Sequence, residues 1–170
     1  PVPWERKCLH WPLAFPDVLL EPGRNGFDAI VGNPPYAGST QTSAANGAIY
    51  RDHLVVRIGR GDRGKTDLAA FFLLRSAGLA RSLGLLTTNT IAQTATRETG
   101  LDRLVDENWT IARANTAASW PGEASVAVVV LWMWATEWVG VRHLDRRPVA
   151  AISTLLQPET RATGNPYELA

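Results

Sequence analysis

Asn33, Pro34, Pro35 and Tyr36 follow directly on Phe27-Asp28-Ala29-Ile30-Val31-Gly32. An acidic residue, a short apolar run and then two prolines predict a buried strand that stops at a rigid polar loop. Neither proline can continue a sheet, because each lacks a donor and has its φ fixed. The Asn33 carboxamide and the carbonyls around the prolines are therefore held at the carboxyl end of a strand, the edge where open α/β sheets place their ligands. One amide oxygen, one fixed carbonyl and an aromatic face suit a planar ring that carries an exocyclic amino group. Asn33 and the Pro34 carbonyl can each accept one amino N–H while Tyr36 stacks on the ring.

This stretch resembles motif IV of the amino-group methyltransferases that use S-adenosylmethionine, most closely the adenine-N6 DNA methyltransferases. The resemblance implies direct methyl transfer to a flipped adenine, with Asn33, Pro34, Pro35 and Tyr36 as the catalytic loop and S-adenosylmethionine as cofactor. Positioning then supplies much of the rate. Extruding a base from duplex DNA costs a few kcal/mol, and stacking on an aromatic returns roughly 1–3 kcal/mol, so a second aromatic partner is expected. Trp120, in Ser119-Trp120-Pro121-Gly122-Glu123, lies between two strand-like runs and is similar to the aromatic of motif VIII. Its other reading is a hairpin-loop tryptophan that covers a sheet edge.

The elements that must position these groups come from a chain of 170 residues, enough for one domain with a real core. Its net charge of +1 is far from the strongly basic balance of a stand-alone DNA-binding module. The single cysteine, Cys8, excludes an internal disulfide and a cysteine-based zinc site, and His10, His53 and His143 have no metal-ligand spacing. No signal peptide or long apolar span is visible, so a cytoplasmic protein without membrane contact is expected. A methyltransferase of this type needs a Gly-rich turn after its first strand and an acidic residue on its second. Only a Pro- and Trp-rich lead-in precedes Phe27. The expectation is an internal fragment, inactive alone, with the cofactor half N-terminal to Pro1 and a target-recognition domain beyond Ala170.

The expected fold class is α/β: the C-terminal half of a Rossmann-like methyltransferase fold, parallel strands with helices ending in an antiparallel hairpin. Residues 1–26 form an irregular lead-in, 27–136 the catalytic half and 137–170 a connector. His10-Trp11-Pro12-Leu13 and Phe15-Pro16, ahead of Phe27-Asp28, resemble large fused restriction–modification (type IIG) and phage-defence methyltransferases. Residues 37–65 are predicted to be a long polar loop. Its Arg51, Arg57, Arg60, Arg63 and Lys65 would track the DNA backbone, or else belong to a solvated insertion. Thr66 to about Leu83 predicts a helix capped by Thr66, with Leu68, Phe71, Phe72 and Leu79 on its apolar side. By resemblance Phe72 borders the cofactor's adenine; its other reading is plain core.

A strand is predicted over Gly84–Thr88, a helix over about Arg97–Glu107, and a central strand over Val126–Trp134, apolar on both faces. Leu144 to Pro148 predicts a ribbon and turn, and Val149 to about Leu156 a helix. Asn165-Pro166-Tyr167 echoes the catalytic loop, but no apolar strand leads into it. The partners expected are double-stranded DNA and the remaining parts of the same polypeptide. Competing readings are an amino-methyltransferase acting on RNA adenine or a protein glutamine, and a non-catalytic DNA-binding scaffold segment. The polar and basic insertion and the Trp-Pro loop favour DNA; Asn33, where cytosine-N4 enzymes more often have Ser or Asp, favours adenine.

Overall fold

In a computed structural model the described residues are 9–23, 26–35, 43, 47–61, 65–119 and 127–159. The lead-in forms two single helical turns, α1 (Trp11–Ala14) and α2 (Pro16–Leu19), each with proline in its first turn, where a missing N–H costs nothing. Trp11 and Phe15 stack at 5.6 Å, and both meet the edge of Phe27 at 5.9 and 5.2 Å. This small aromatic cluster holds the lead-in against the start of the first strand.

That strand, β1 (Ile30–Gly32), runs parallel to β2 (Ser82–Thr88), with Val31 opposite Gly84. The long strands β3 (Thr110–Ser119) and β4 (Ala127–Trp134) form an antiparallel pair, and β4 also pairs antiparallel with β2. A hairpin, β5 (Arg142–Leu144) and β6 (Arg147–Val149), completes a six-stranded sheet of order β1-β2-β4-β3-β5-β6. A separate two-residue ladder joins β7 (Ala151–Ile152) to β8 (Pro158–Glu159). The central place of β4 follows from its apolar residues on both faces.

Four expectations are corrected. Residues 37–65 are not all loop, because α3 (Ala48–Arg57) lies within them and buries Leu54 and Val55 against Phe71. The helix expected over 66–83 is α4 (Leu68–Ala77); Gly78 ends it, the chain turns at Leu79, and Leu83 is already in β2. Its cap is Asp67, whose carboxylate accepts from Ala69 N–H at 2.9 Å, and not Thr66. The helix expected over 149–156 is absent: Val149 and Ile152 sit in short strands, and Leu156, at φ 55°, turns the chain into β8. β-branched residues on a chain reversal pay less in a ribbon than in a helix.

The second predicted helix is present as α5 (Thr94–Arg97), a π-helical stretch over Glu98–Asp102, and α6 (Arg103–Asp106). The widened turn lies at Gly100, where a Cβ would come 3.2 Å from that of Ala70. The missing side chain lets this helix lie directly on α4. Leu73, Leu101, Leu104, Leu83, Leu85, Ile111, Leu131 and Met133 fill the core between these helices and one face of the sheet.

The other face of the sheet corrects a further expectation. Among the described residues no helix covers it, so β1 is not the buried strand its apolar run suggests. Val31 is 84% exposed, and a groove floored by Gly84 runs between Val31, Trp132 and Trp134. Asp28, the acidic residue ahead of the apolar run, pairs with Arg81 at the opposite end of β1 from the prolines. Both side chains are largely exposed, so this pair contributes little.

Gly26 sets the entry to β1. It has φ 102°, and a Cβ there would stand 2.3 Å from the Leu79 carbonyl oxygen, the acceptor of the Phe27 N–H. Gly26→Ala is expected to cost about 1–3 kcal/mol through the left-handed backbone alone, and more through the clash. Chemical denaturation checks this; a midpoint equal to that of the parent would show that the turn is not a constraint.

Candidate active site

β1, β2 and β3 are mutually parallel, since β2 and β3 both oppose β4. Their carboxyl ends, at Gly32, Thr88 and Ser119, therefore lie on one edge of the sheet. Asn33-Pro34-Pro35 stands at that edge as soon as β1 stops. Pro34 is fully buried while Asn33 and Pro35 are exposed. A buried ring with fixed φ clamps the loop, leaving the carboxamide before it presented to solvent. Tyr36 lies outside the described residues.

Phe72 comes to the same place. A Cβ on Gly32 would meet its ring at 3.5 Å, so the glycine lets an aromatic face lie against the base of the loop. Phe72 is 37% exposed and so is not plain core. The structure thus brings together Asn33, Pro34, Pro35 and Phe72. Trp120 and its loop lie outside the described residues, although β3, which leads into that loop, ends on the same edge.

Behind the edge lies a threonine-rich polar layer that sequence reasoning missed. Thr66 and Thr99 share a hydrogen bond between hydroxyls at 3.0 Å, and Thr96 accepts from Asp67 N–H at 3.1 Å. Together they tie the start of α4 to α5. Thr88 and Thr90 join hydroxyls at 2.6 Å just after β2. The spacing of these threonines has no period, so only the packing of α4 on α5 reveals the layer. Thr87, 1% exposed, has a buried hydroxyl without a partner among the described residues. A buried hydroxyl left unpaired costs about 1–3 kcal/mol. Thr87→Val, which keeps the shape and drops the hydroxyl, is expected to stabilise the fold by about 1 kcal/mol. A lower melting temperature in that variant would show that the hydroxyl is satisfied in solution.

The basic residues after the loop are dispersed. Arg51 lies on α3 and Lys65 is exposed ahead of α4, while Arg63 is outside the described residues. Arg57 and Arg60 line a cleft with Arg75, Arg103, Glu107 and Trp109. Arg60 pairs with Glu107 at 3.1 Å, and Arg103 donates to the Ile58 carbonyl at 3.0 Å and to Glu107 at 3.2 Å. The cleft gathers the carboxyl ends of α3, α4 and α6, toward the edge where β2 and β3 begin. Arginines there offset the negative ends of three helix dipoles, on the opposite side of the sheet from Asn33.

An α/β sheet thus carries a proline-clamped carboxamide at the carboxyl edge of a parallel strand, the edge where open α/β sheets commonly place ligands. Residues 3–113 match the model of a family described as the Eco57I restriction-modification methylases, a span that takes in Asn33-Pro34-Pro35, α4 and β2. The chain belongs to this restriction-modification methylase family. Among solved structures, the type IIL restriction-modification enzyme MmeI, in complex with DNA, is similar with a TM-score of 0.61 at 17% identity. That likeness covers 76% of this chain and 19% of MmeI, and it shows a shared fold. A DrdV–DNA complex is similar with a TM-score of 0.38 at 15% identity, over 62% of this chain and 13% of that one. The chain therefore spans a fifth or less of the length of these relatives. No curated protein matches it. No helix among the described residues is long and apolar enough to cross a membrane.

Proposed function

We propose that this chain is the catalytic part of a site-specific adenine-N6 DNA methyltransferase of a restriction–modification or phage-defence system. The observation that carries the reading is the placement of Asn33-Pro34-Pro35. A buried proline clamps an exposed carboxamide at the carboxyl edge of a parallel strand, inside the span matched by a methylase family. The Asn33 Oδ1 and the Pro34 carbonyl accept the two amino hydrogens of a flipped adenine. This aims the nitrogen lone pair away from the loop and draws electron density toward the nitrogen as the new bond forms. Tyr36 and Trp120 stack on the extruded base.

S-adenosylmethionine supplies the methyl group, carried on a sulfonium. The half-exposed face of Phe72, against Gly32 at the base of the loop, fits a place beside the cofactor's adenine ring. The Gly-rich turn and ribose-binding acid that such an enzyme needs, and its target recognition, are assigned in this reading to other parts of the same polypeptide. In this division, 1–26 is lead-in, 27–136 the catalytic half and 137–170 the connector. Arg51, Arg63 and Lys65 are candidate contacts to the DNA backbone, whereas Arg57 and Arg60 stand in the cleft at the opposite edge of the sheet, away from the flipped base.

The test is expression of the complete reading frame in a host without DNA adenine methylation, followed by digestion of the host DNA to nucleosides. N6-methyladenine by mass spectrometry is the expected result. A folded protein that binds the cofactor yet leaves no methylated base would turn the reading toward an RNA or protein-amide substrate.

A further inference from the structure

Three helices end at one small cleft, and each brings arginine to it. Arg57 closes α3 and Arg60 follows in the turn beyond; Arg75 lies in the last turn of α4, and Arg103 opens the single turn of α6. All four line a cleft of about 240 Å³ that buried Leu104 and Trp109 also border. The gathering is built into the packing. Gly59 lets the end of α3 close on α4, since a Cβ there would stand 2.9 Å from the Phe71 ring and 3.0 Å from the Val55 carbonyl oxygen. Arg60 then takes the left-handed φ of 53°, and the Gly61 N–H closes the turn on the Val55 carbonyl at 2.9 Å.

One carboxylate faces these four guanidiniums. A single oxygen of Glu107 lies 3.1 Å from Arg60 Nη1 and 3.2 Å from Arg103 Nε. Arg103 is further fixed by its bond to the Ile58 carbonyl. Arg57 and Arg75 are exposed, and among the described residues neither makes a hydrogen bond or ion pair. Four positive charges thus meet one carboxylate and three helix ends, each end worth about half a negative charge, which leaves a surplus of about +1.5. Offsetting helix dipoles accounts for part of the cluster and not for all of it. In a chain whose net charge is +1, the surplus is concentrated in this one place.

We propose that this cleft binds a phosphate group, held by Arg57 and Arg75 beside the Arg60–Glu107–Arg103 bridge. Glu107 shows what these arginines take: an oxyanion shared between two guanidiniums. A carboxylate offers two oxygens in one plane, whereas a phosphate offers three or four around a tetrahedral centre and can meet guanidiniums that arrive from three helices. The cleft stands apart from Asn33, because the seven residues of β2 run between the two edges, a length of about 20 Å. The phosphate therefore belongs to a stretch of nucleic acid remote from Asn33 or to a free phosphate compound. The inference goes beyond the methyltransferase reading and stands on its own geometry.

The experiment uses the complete polypeptide and two probes: inorganic pyrophosphate by calorimetry, and a fluorescein-labelled mixed-sequence duplex by anisotropy across a salt series. The variant is the double substitution Arg57→Gln with Arg75→Gln, at two exposed side chains. A loss of pyrophosphate affinity of about tenfold or more supports the site and makes a free phosphate compound its ligand. A salt slope for the duplex lowered by about 2 supports it equally and makes nucleic acid the source. A double variant that binds both probes as the parent does would overturn the proposal, as would a parent that binds neither. The cluster would then serve the helix ends alone or the carboxylates of a protein segment. Should the double variant fail to fold, Glu107→Gln decides. Removing the competing oxyanion is expected to tighten the bound probe by up to about fivefold, and an equal or weaker affinity would refute the site. Methyl transfer is read separately, so a failure here leaves the proposed function standing, and the reverse holds as well.

Discussion

Asn33→Ala is expected to cut methyl transfer by the complete polypeptide about 10²–10³-fold, the loss that follows removal of one preorganised hydrogen-bonding group. The side chain is exposed, so its truncation opens no cavity, and the loop remains clamped by buried Pro34. The fold should be retained, with a stability loss of no more than about 1.5 kcal/mol, the cost of one hydrogen bond. On the proposed reading the effect lies in the chemical step: without Oδ1, one amino hydrogen would lose its acceptor and the ring its orientation, so the nitrogen would no longer point at the methyl donor. N6-methyladenine in host DNA, quantified by mass spectrometry for parent and variant, reads the result directly. Methylation at the parental level in the variant would remove Asn33 from the mechanism. The Pro34 carbonyl and the stacking aromatics would then have to hold the base unaided.

Leu73→Ala is expected to be the most damaging core substitution, at about 2–5 kcal/mol. Leu73 is fully buried in the middle of α4, and its side chain approaches Gly100, where the π-helical stretch lies against Ala70. The surroundings cannot collapse into the space. Gly100 has no side chain to move inward, and the sheet residues Leu83 and Leu85 are held by their ladders to β1 and β4. Because α4 also carries the Asp67 cap and the Thr66–Thr99 bond, loosening it disturbs the layer behind the edge that carries Asn33. Urea denaturation measures the loss. A change below about 1 kcal/mol would mean that this helix pair repacks freely, contrary to the close approach at Gly100.

The order of elements around the loop was legible in the sequence because each carries a local signal. Two prolines after an apolar run end a strand whatever surrounds them. The apolar side of Leu68, Phe71 and Phe72 announced α4, although its cap and its end were misplaced: Asp67 caps it, not Thr66, and it stops at Ala77, not near Leu83. The apolar stretch before Trp134 reads as central, and β4 is central. Inside the polar stretch 37–65, α3 was hidden because Leu54 and Val55 gain their burial from Phe71, a residue of another helix. The expected helix over 149–156 failed for the converse reason, since backbone pairing and the turn at Leu156 outweigh a weak propensity.

Alone, the sequence determined the loop and its groups: a carboxamide, a fixed carbonyl and the end of a strand, all products of covalent geometry over a few residues. Only the tertiary structure decided which groups gather at each edge of the sheet. Phe72 reaches the edge of Asn33 because Gly32 lacks a side chain, and Arg57 joins Arg103 because α3, α4 and α6 end at one cleft. The open face of β1 belongs to the same class. The apolar character of Val31 is written in the chain, whereas its exposure depends on what packs across the sheet. Proximity of residues so far apart in the chain is set by strand register and helix packing, and no local pattern encodes either.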